Sequence, residues 1–439
     1  MLISELPAEI LDFIFELFVP YANRGVKPNA YLVTLCNVCS LWRQVALQDP
    51  FLWNNLHLPL SETAFQWVKC MLSRSGSAPL HVFVTKYREQ ISLGEMGMND
   101  WSSKFLKLIR GHSQRWRTLE IDVPEAAIDL TPIWKGQAPM LQRLVVSALA
   151  FISNARDRPP VLPQILPTND HLIYLNLSRF PVRWDQWNCT SITELNLGSF
   201  SRREPGPSRT ELCKILSLLS KQLRELSIMG PWQPTPDHVP GFPPVVLEAL
   251  TSFTTFRWGW PVEEVLLTCT FPVLEHVDTE LPLGGLSTCL ISRLNETPPL
   301  LQSVKRLSVD IEDGLDVFME QIQLVFPQAS HIELGYGLEK FNKSSLHFLS
   351  NWPCMDRLDI YEASLVEIKE ILVTRYEHYP TPLLGLKLDR ALGPLYRADY
   401  EWITSRVKCL IIEQVEIMCN GISKSLPFED IYIIPQGVV

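Results

Sequence analysis

The chain has 439 residues, 46% of them hydrophobic and 20% charged, with a formal net charge of −9. That is the composition of a folded globular protein, not of a disordered one, and its length suits two to four ordinary domains. No run of Lys or Arg forms a basic stripe, which argues against nucleic-acid binding, and no apolar window of about twenty residues offers a membrane span.

The first twenty residues, MLISELPAEILDFIFELFVP, are rich in apolar side chains but interrupted at helical spacing by Glu5, Glu9, Asp12 and Glu16. A secretory leader would carry a basic start and an uninterrupted apolar centre, so the pattern predicts an amphipathic helix instead. Pro7 suits its first turn, Leu6, Ile10, Ile14 and Leu17 form one stripe, and Pro20 is expected to end it. After the polar stretch YANRGVKPNA, a second helix is expected to place Leu35, Val38, Cys39, Trp42, Val45 and Ala46 on one face. Asp49-Pro50 breaks it, and a short turn delivers Phe51, Leu52 and Trp53. So small a helical unit has little room to bury this much apolar bulk, and the surplus suggests a surface meant for another protein.

From there the texture changes to short x-L-x-L strands: RTLEIDV, LQRLVVS, LIYLNLS, ITELNLG, LRELSIM, VKRLSVD, ASHIELG, MDRLDIY, LLGLKLD and VKCLIIE, with weaker copies TTFRWGW, LEHVDTE and FEDIYII. The leading core positions are Leu119, Leu144, Leu175, Leu195, Leu226, Phe256, Val277, Leu307, Ile332, Leu358, Leu386, Leu410 and Ile431. They recur about every 26 residues, and strands at Leu56–Leu58 and His81–Phe83 fit the same spacing. Helical segments lie between them: TELCKILSLLSKQ, LDVFMEQIQLVF and SLVEIKEILVTRY each put their large apolar residues on one face. A strand and a helix repeating at this period is the leucine-rich-repeat signature, in which stacked units share one continuous core. Missing turn asparagines and 34 prolines predict an irregular horseshoe. An ordinary parallel α/β fold is the competing architecture.

Taken together, Leu6-Pro7, Glu9-Ile10-Leu11, Ile14-Phe15, Val38-Cys39, Trp42-Arg43, Val45-Ala46 and Asp49-Pro50 with Trp53 closely resemble the F-box. The F-box is a trihelical motif that binds the Skp-family adaptor of cullin–RING ubiquitin ligases. The continuation resembles the large F-box families of mushroom-forming fungi. The fold expected is therefore α/β, a trihelical F-box over residues 1–55 followed by a leucine-rich-repeat solenoid over 56–439. The stretch between the first two helices is longer than in most F-boxes, which leaves the register of adaptor contacts after Leu17 open. The resemblance implies an adaptor-binding set of Leu6, Pro7, Ile10, Leu11, Ile14, Leu35, Val38, Trp42 and Trp53, with a cap over the first repeat as the alternative role. It implies a substrate receptor with a Skp adaptor, a cullin–RING ligase and a protein target as partners, or else a scaffold using the motif outside ubiquitination. A nucleic-acid or membrane partner is not expected.

Little points to chemistry within the chain. Cys36-x-x-Cys39 has no second ligand pair at metal spacing, so no metal or cofactor is expected, and the nine histidines belong to no nucleophile or zincin motif. Ten scattered cysteines read as reduced thiols, placing the chain in cytoplasm or nucleus. An enzyme remains possible only through residues that the fold gathers. On the strands, the residues flanking each core position form two polar rows, one from Glu120 to Lys387 and the other from Thr118 to Arg357. Loops following strands near 180–261 combine Trp184, Trp187, Trp232, Trp258 and Trp260 with Arg202, Arg203 and Arg257. With Tyr174, the residues Arg202, Arg203, Trp232, Arg257, Trp258 and Trp260 are the expected target-binding patch. Trp–Pro packing within the loops is the competing explanation.

Overall fold

A computed structural model describes residues 6–22, 30–58, 62–85, 98–124, 138–149, 170–178, 184–198, 206–230, 244–256, 260–281, 293, 301–311, 322–323, 325–335, 349–392, 396–419 and 422–427. The chain divides into two compact units, Met1–Glu211 and Leu212–Val439. None of the described helices is long and apolar enough to cross a membrane.

The first unit opens with α1 (Ala8–Ala22), α2 (Ala30–Val38) and α3 (Ser40–Gln48), then a 3-10 turn, Pro50–Trp53. Two expectations need correction here. Pro20 does not end α1: it removes one N–H from the last turn, and the helix continues two residues beyond it. The second expected helix is two. Cys39 adopts an extended conformation (φ −157°, ψ 174°) and its Sγ accepts the Trp42 N–H, so it caps α3 instead of continuing α2. The apolar positions on either side of Cys39 therefore do not share one face.

Burial explains the packing of this bundle. Leu11 and Phe15 of α1, Tyr31, Leu32 and Leu35 of α2, Val45 and Ala46 of α3, and Leu52 and Trp53 of the turn are all buried. Each buried leucine, valine or phenylalanine among them contributes on the order of 1.5–3 kcal/mol. Two hydrogen bonds fix the turn: Trp53 Nε1 donates to the Ala46 carbonyl (2.6 Å) and Tyr31 Oη to the Leu52 carbonyl (3.3 Å). The Trp53 ring then meets Trp67 and the Arg74 guanidinium on α4 (Glu62–Arg74).

Strands follow in chain order, each parallel to its predecessor: β1 (Asn55–Leu58), β2 (Leu80–Thr85), β3 (Trp116–Pro124), β4 (Arg143–Leu149), β5 (Tyr174–Ser178) and β6 (Glu194–Gly198), with α5 (Met98–Arg110) before β3. Leu119, Leu144, Leu175 and Leu195 share one register and are buried, as the periodicity predicts.

In the second unit α6 (Arg209–Leu219) buries Leu212, Ile215, Leu216 and Leu219, the expected face. The parallel ladder runs β7 (Glu225–Met229), β9 (Ser252–Phe256), β11 (His276–Leu281), β12 (Arg306–Ile311), β13 (His331–Leu334), β14 (Arg357–Ser364), β15 (Gly385–Leu392) and β16 (Leu410–Cys419). A two-residue strand β8 (Val245–Val246) pairs with β10 (Cys269–Thr270), and α7 (Trp260–Thr268) precedes β10. Helix α8 (Leu365–His378) follows β14, and α9 (Arg397–Thr404) follows β15. The last strand, β17 (Ile422–Pro427), returns antiparallel on β16, which the repeat pattern does not anticipate.

Two features recur from strand to strand. One carbonyl ahead of a strand accepts two successive N–H groups of the next repeat: Gln142 from Ile173 and Tyr174, Arg224 from Thr251 and Ser252, Lys305 from Ser330 and His331, Ser330 from Asp356 and Arg357. The fork repeats at Ile173, Thr251, Glu275 and Asp356. It satisfies backbone groups at the turn into each strand and pins the register. The second feature is a buried apolar residue three positions before each leading core residue: Leu141, Leu172, Ile192, Leu223, Leu250, Leu274, Val304, Ala329, Met355 and Leu383. The full pattern is thus L-x-x-L-x-L.

The pattern corrects one strand. In β9 the fork from Arg224 aligns Phe253, not Phe256, with Leu226 and Val277, and Phe256 is exposed. The weak copy TTFRWGW hides this because a threonine fills the second core position of that strand. The buried hydroxyls of Thr255 and Thr279 bond each other at 3.0 Å across β9 and β11, so each polar group finds its partner inside. Ile431 lies outside the described residues.

Candidate interaction site

Helix α1 carries apolar residues on two rows and Glu9, Asp12 and Glu16 on a third, and packing selects which apolar row is spent. Leu11 and Phe15 face inward. The opposite row of Ile10 (47% exposed), Phe13 (59%), Ile14 and Leu17 (55%) stays open to solvent. Val33 and Val38 on α2 and Phe51 on the 3-10 turn are also exposed. Isolated exposed apolar residues are ordinary, but so many within 42 residues of sequence, four of them on one helix row, are not.

Of the nine residues expected at an adaptor surface, Pro7, Ile10, Ile14 and Val38 are exposed and Leu6 is half-buried. Leu11, Leu35 and Trp53 are buried in the chain's own core, which corrects their expected place on the open face. Trp42 is half-buried, its ring edge-on to Phe15 with centroids 4.9 Å apart, so it chiefly links α3 to α1. The structure adds Phe13, Val33 and Phe51, which the apolar stripe drawn from sequence leaves out. The residue pattern could not have found them: leucine, isoleucine and phenylalanine occupy both the row that α1 buries and the row it leaves open, and only the neighbours decide which is covered.

Beside this row lies a recess lined by Ala8, Glu9, Asp12, Glu16, Val45, Gln48, Asp49, Pro50 and Phe51. Asp49 Oδ1 accepts the Phe51 N–H at 2.8 Å and caps the 3-10 turn. Burial, with the Asp12 and Glu16 carboxylates adding to it, pushes Asp49 up to about 6, against the opposing pull of the Phe51 N–H.

Cys36 lies in α2 and Cys39 at the junction of α2 and α3. Cys39 Sγ is the helix cap, the Cys36 carbonyl accepts from Arg43 Nε (2.7 Å), and burial pushes the Cys36 thiol up. No disulfide joins the cysteines Cys36, Cys39, Cys70, Cys189, Cys213, Cys269, Cys354 and Cys409, and burial pushes Cys189 and Cys269 up to about 12, away from a reactive thiolate.

The expected target-binding patch is only partly within the described residues. Arg202, Arg203, Trp232, Arg257 and Trp258 lie outside them, and Trp260 opens α7. Trp184 and Trp187 are buried and stacked on one another, so these two pack the fold and present nothing outward. Tyr174 belongs to the polar face of its strand. The Arg143 guanidinium lies 3.5 Å from its ring centroid and donates to Glu120 at 2.7 Å, while Asn196 Nδ2 donates to Tyr174 Oη at 2.9 Å.

The two polar rows do align across the strands, with Thr254 and Ser252 in place of the expected Arg257 and Thr255 because of the β9 register. In the second unit their charges compensate in pairs. Arg306 donates to Glu333 (2.8 Å), Arg357 to Asp359 (3.0 Å), and His331 Nε2 lies 2.9 Å from Asp359 Oδ2. Burial would raise Asp359, but the bonds from Arg357 and His331 outweigh it and hold the carboxyl below its ordinary value. His331, Glu333 and Asp359 bring ligand atoms within 4.8 Å of one another, a grouping that sequence could not show because it spans β13 and β14. Arg306 and Arg357 already neutralise both carboxylates, so the trio reads as a charge ladder.

An open apolar row on a small helical bundle thus precedes, in sequence, a parallel ladder whose charges compensate in pairs. An F-box-like family model matches residues 3–59, so this segment is an F-box-like domain. No curated protein matches the chain.

Proposed function

We propose that this protein is a non-catalytic substrate receptor of an SCF-type ubiquitin ligase. Its F-box-like domain docks a Skp-family adaptor through Ile10, Phe13, Ile14, Leu17, Val38 and Phe51, and leucine-rich repeats hold a protein target. The observation that carries the reading is the exposed apolar row of α1 inside the F-box-like match. The repeat assignment is supported by the buried L-x-x-L-x-L positions and the recurring carbonyl fork. The role requires no bond-making by this chain. Holding a target near the charged conjugating enzyme raises the effective concentration of its lysines at the thioester. Cytoplasm or nucleus is the compartment where such a complex and the free thiols would coexist.

The test is capture of a purified Skp-family adaptor by the full-length chain. Ile10→Asp with Ile14→Asp places two charges on exposed positions, where the fold itself loses little, and should abolish capture. Trp42→Asp is a poor probe because it also breaks the Phe15 contact. Undiminished capture by the double variant overturns the reading.

A further inference from the structure

The acidic recess beside the apolar row has an unresolved charge. Glu9, Asp12 and Glu16 follow one row of α1 at i, i+3 and i+7, bordering the exposed Ile10–Phe13–Leu17 side. Across the recess, Asp49 is only 8% exposed. Its Oδ1 is used by the Phe51 N–H, but Oδ2 is buried with no hydrogen-bond partner, and so is Asp12 Oδ1. A buried carboxylate oxygen without a donor is costly. The remaining groups around it offer no positive charge: Gln48, Pro50 and Phe51 line the recess, and the nearby Tyr31 phenol is raised by its own burial and already donates to Leu52. Among the described residues, no Lys, Arg or His lines it.

We infer that this recess receives a lysine or arginine side chain of the protein that docks on the neighbouring apolar row. The inference rests on the adaptor-docking reading and adds a specificity contact to it. The occupant follows from charge complementarity and continuity. The recess and the apolar row share α1, so one partner covers both, and a cation there supplies the donors that Asp12 and Asp49 lack. In the free protein below about pH 6, a proton shared by the two carboxyls relieves the repulsion. Docking exchanges that proton for the partner's cation, so affinity falls as pH drops through about 6.

Titration calorimetry of the full-length chain with a purified Skp-family adaptor, between pH 5.5 and 8 and at two salt concentrations, tests this. Asp49→Asn keeps the Oδ1 acceptor for the Phe51 N–H and so the cap. It is expected to weaken binding at pH 7.5 about tenfold and to flatten both the pH and the salt dependence. Asp12→Asn, on the helix surface, should do the same. Wild-type affinity for both variants, with pH and salt slopes unchanged, overturns the inference while leaving adaptor docking intact. No binding by the wild-type chain overturns both. A rise in melting temperature of the isolated chain on adding calcium or magnesium, absent in Asp49→Asn, would assign the recess to a metal ion and also overturn it.

Discussion

Single residues in this chain do opposite kinds of work. Arg375 is buried, which lowers its basicity, and its guanidinium donates to the carbonyls of Ser350, Trp352 and Met355. Arg115 does likewise for the carbonyls of Ser75, Gly76 and Ala78. Each guanidinium gathers the carbonyls of one turn, adding donors to those the backbone supplies. Asp49 is the counter-example, a buried carboxyl that costs stability. Its folded value of about 6 lies above the ordinary carboxylate range, so the folded state binds the proton more tightly than the unfolded one. The penalty is absent well below pH 3.8, develops as pH rises from there through about 6, and is full at neutral pH. Asp49→Asn should therefore raise the melting temperature of the chain at pH 7.5 and leave it unchanged at pH 3.5, as followed by circular dichroism. A gain of equal size at both pH values would refute the assignment.

Helices and strands differ in how legible they are. The x-L-x-L returns place most strands, because an apolar alternation at a 20–30-residue period has few other readings: Leu119 to Leu195 fall into register in the first unit and Val277 to Leu410 in the second, with β9 the exception. There the core residue Thr255 is polar and the pattern slid by three positions. Helix ends were read less well. Cys39 looks like one more apolar helical position, yet its thiol serves as a cap, a use that residue type does not announce. The exposed apolar row is half legible: Ile10, Ile14 and Val38 are expected there and are exposed, but Leu11, Leu35 and Trp53 are equally apolar and lie on the buried side. Where a helix end does follow its signal, the energetics are simple. Ser364 and Glu367 form a reciprocal capping box at α8, the hydroxyl accepting the Glu367 N–H and the carboxylate accepting the Ser364 N–H. Ser364→Ala should cost about 1 kcal/mol, measurable by chemical denaturation.

At the scale of the molecule, a parallel ladder built by repetition has a difficulty that no repeat solves: it has no natural last member. Strand β16 would present a free row of N–H and C=O groups, and the next repeat of another chain would fit it. The antiparallel return of β17 occupies that row from Gln414 to Cys419 and finishes on Pro427, which brings no N–H of its own. Ending the chain at Cys419 should leave a fold competent to polymerise, with light scattering rising with concentration where the intact chain stays clear. The hairpin of β16 and β17 thus has the form of a chain terminator in the polymer sense, covering with the chain's own backbone a row on which repetition alone would add another member.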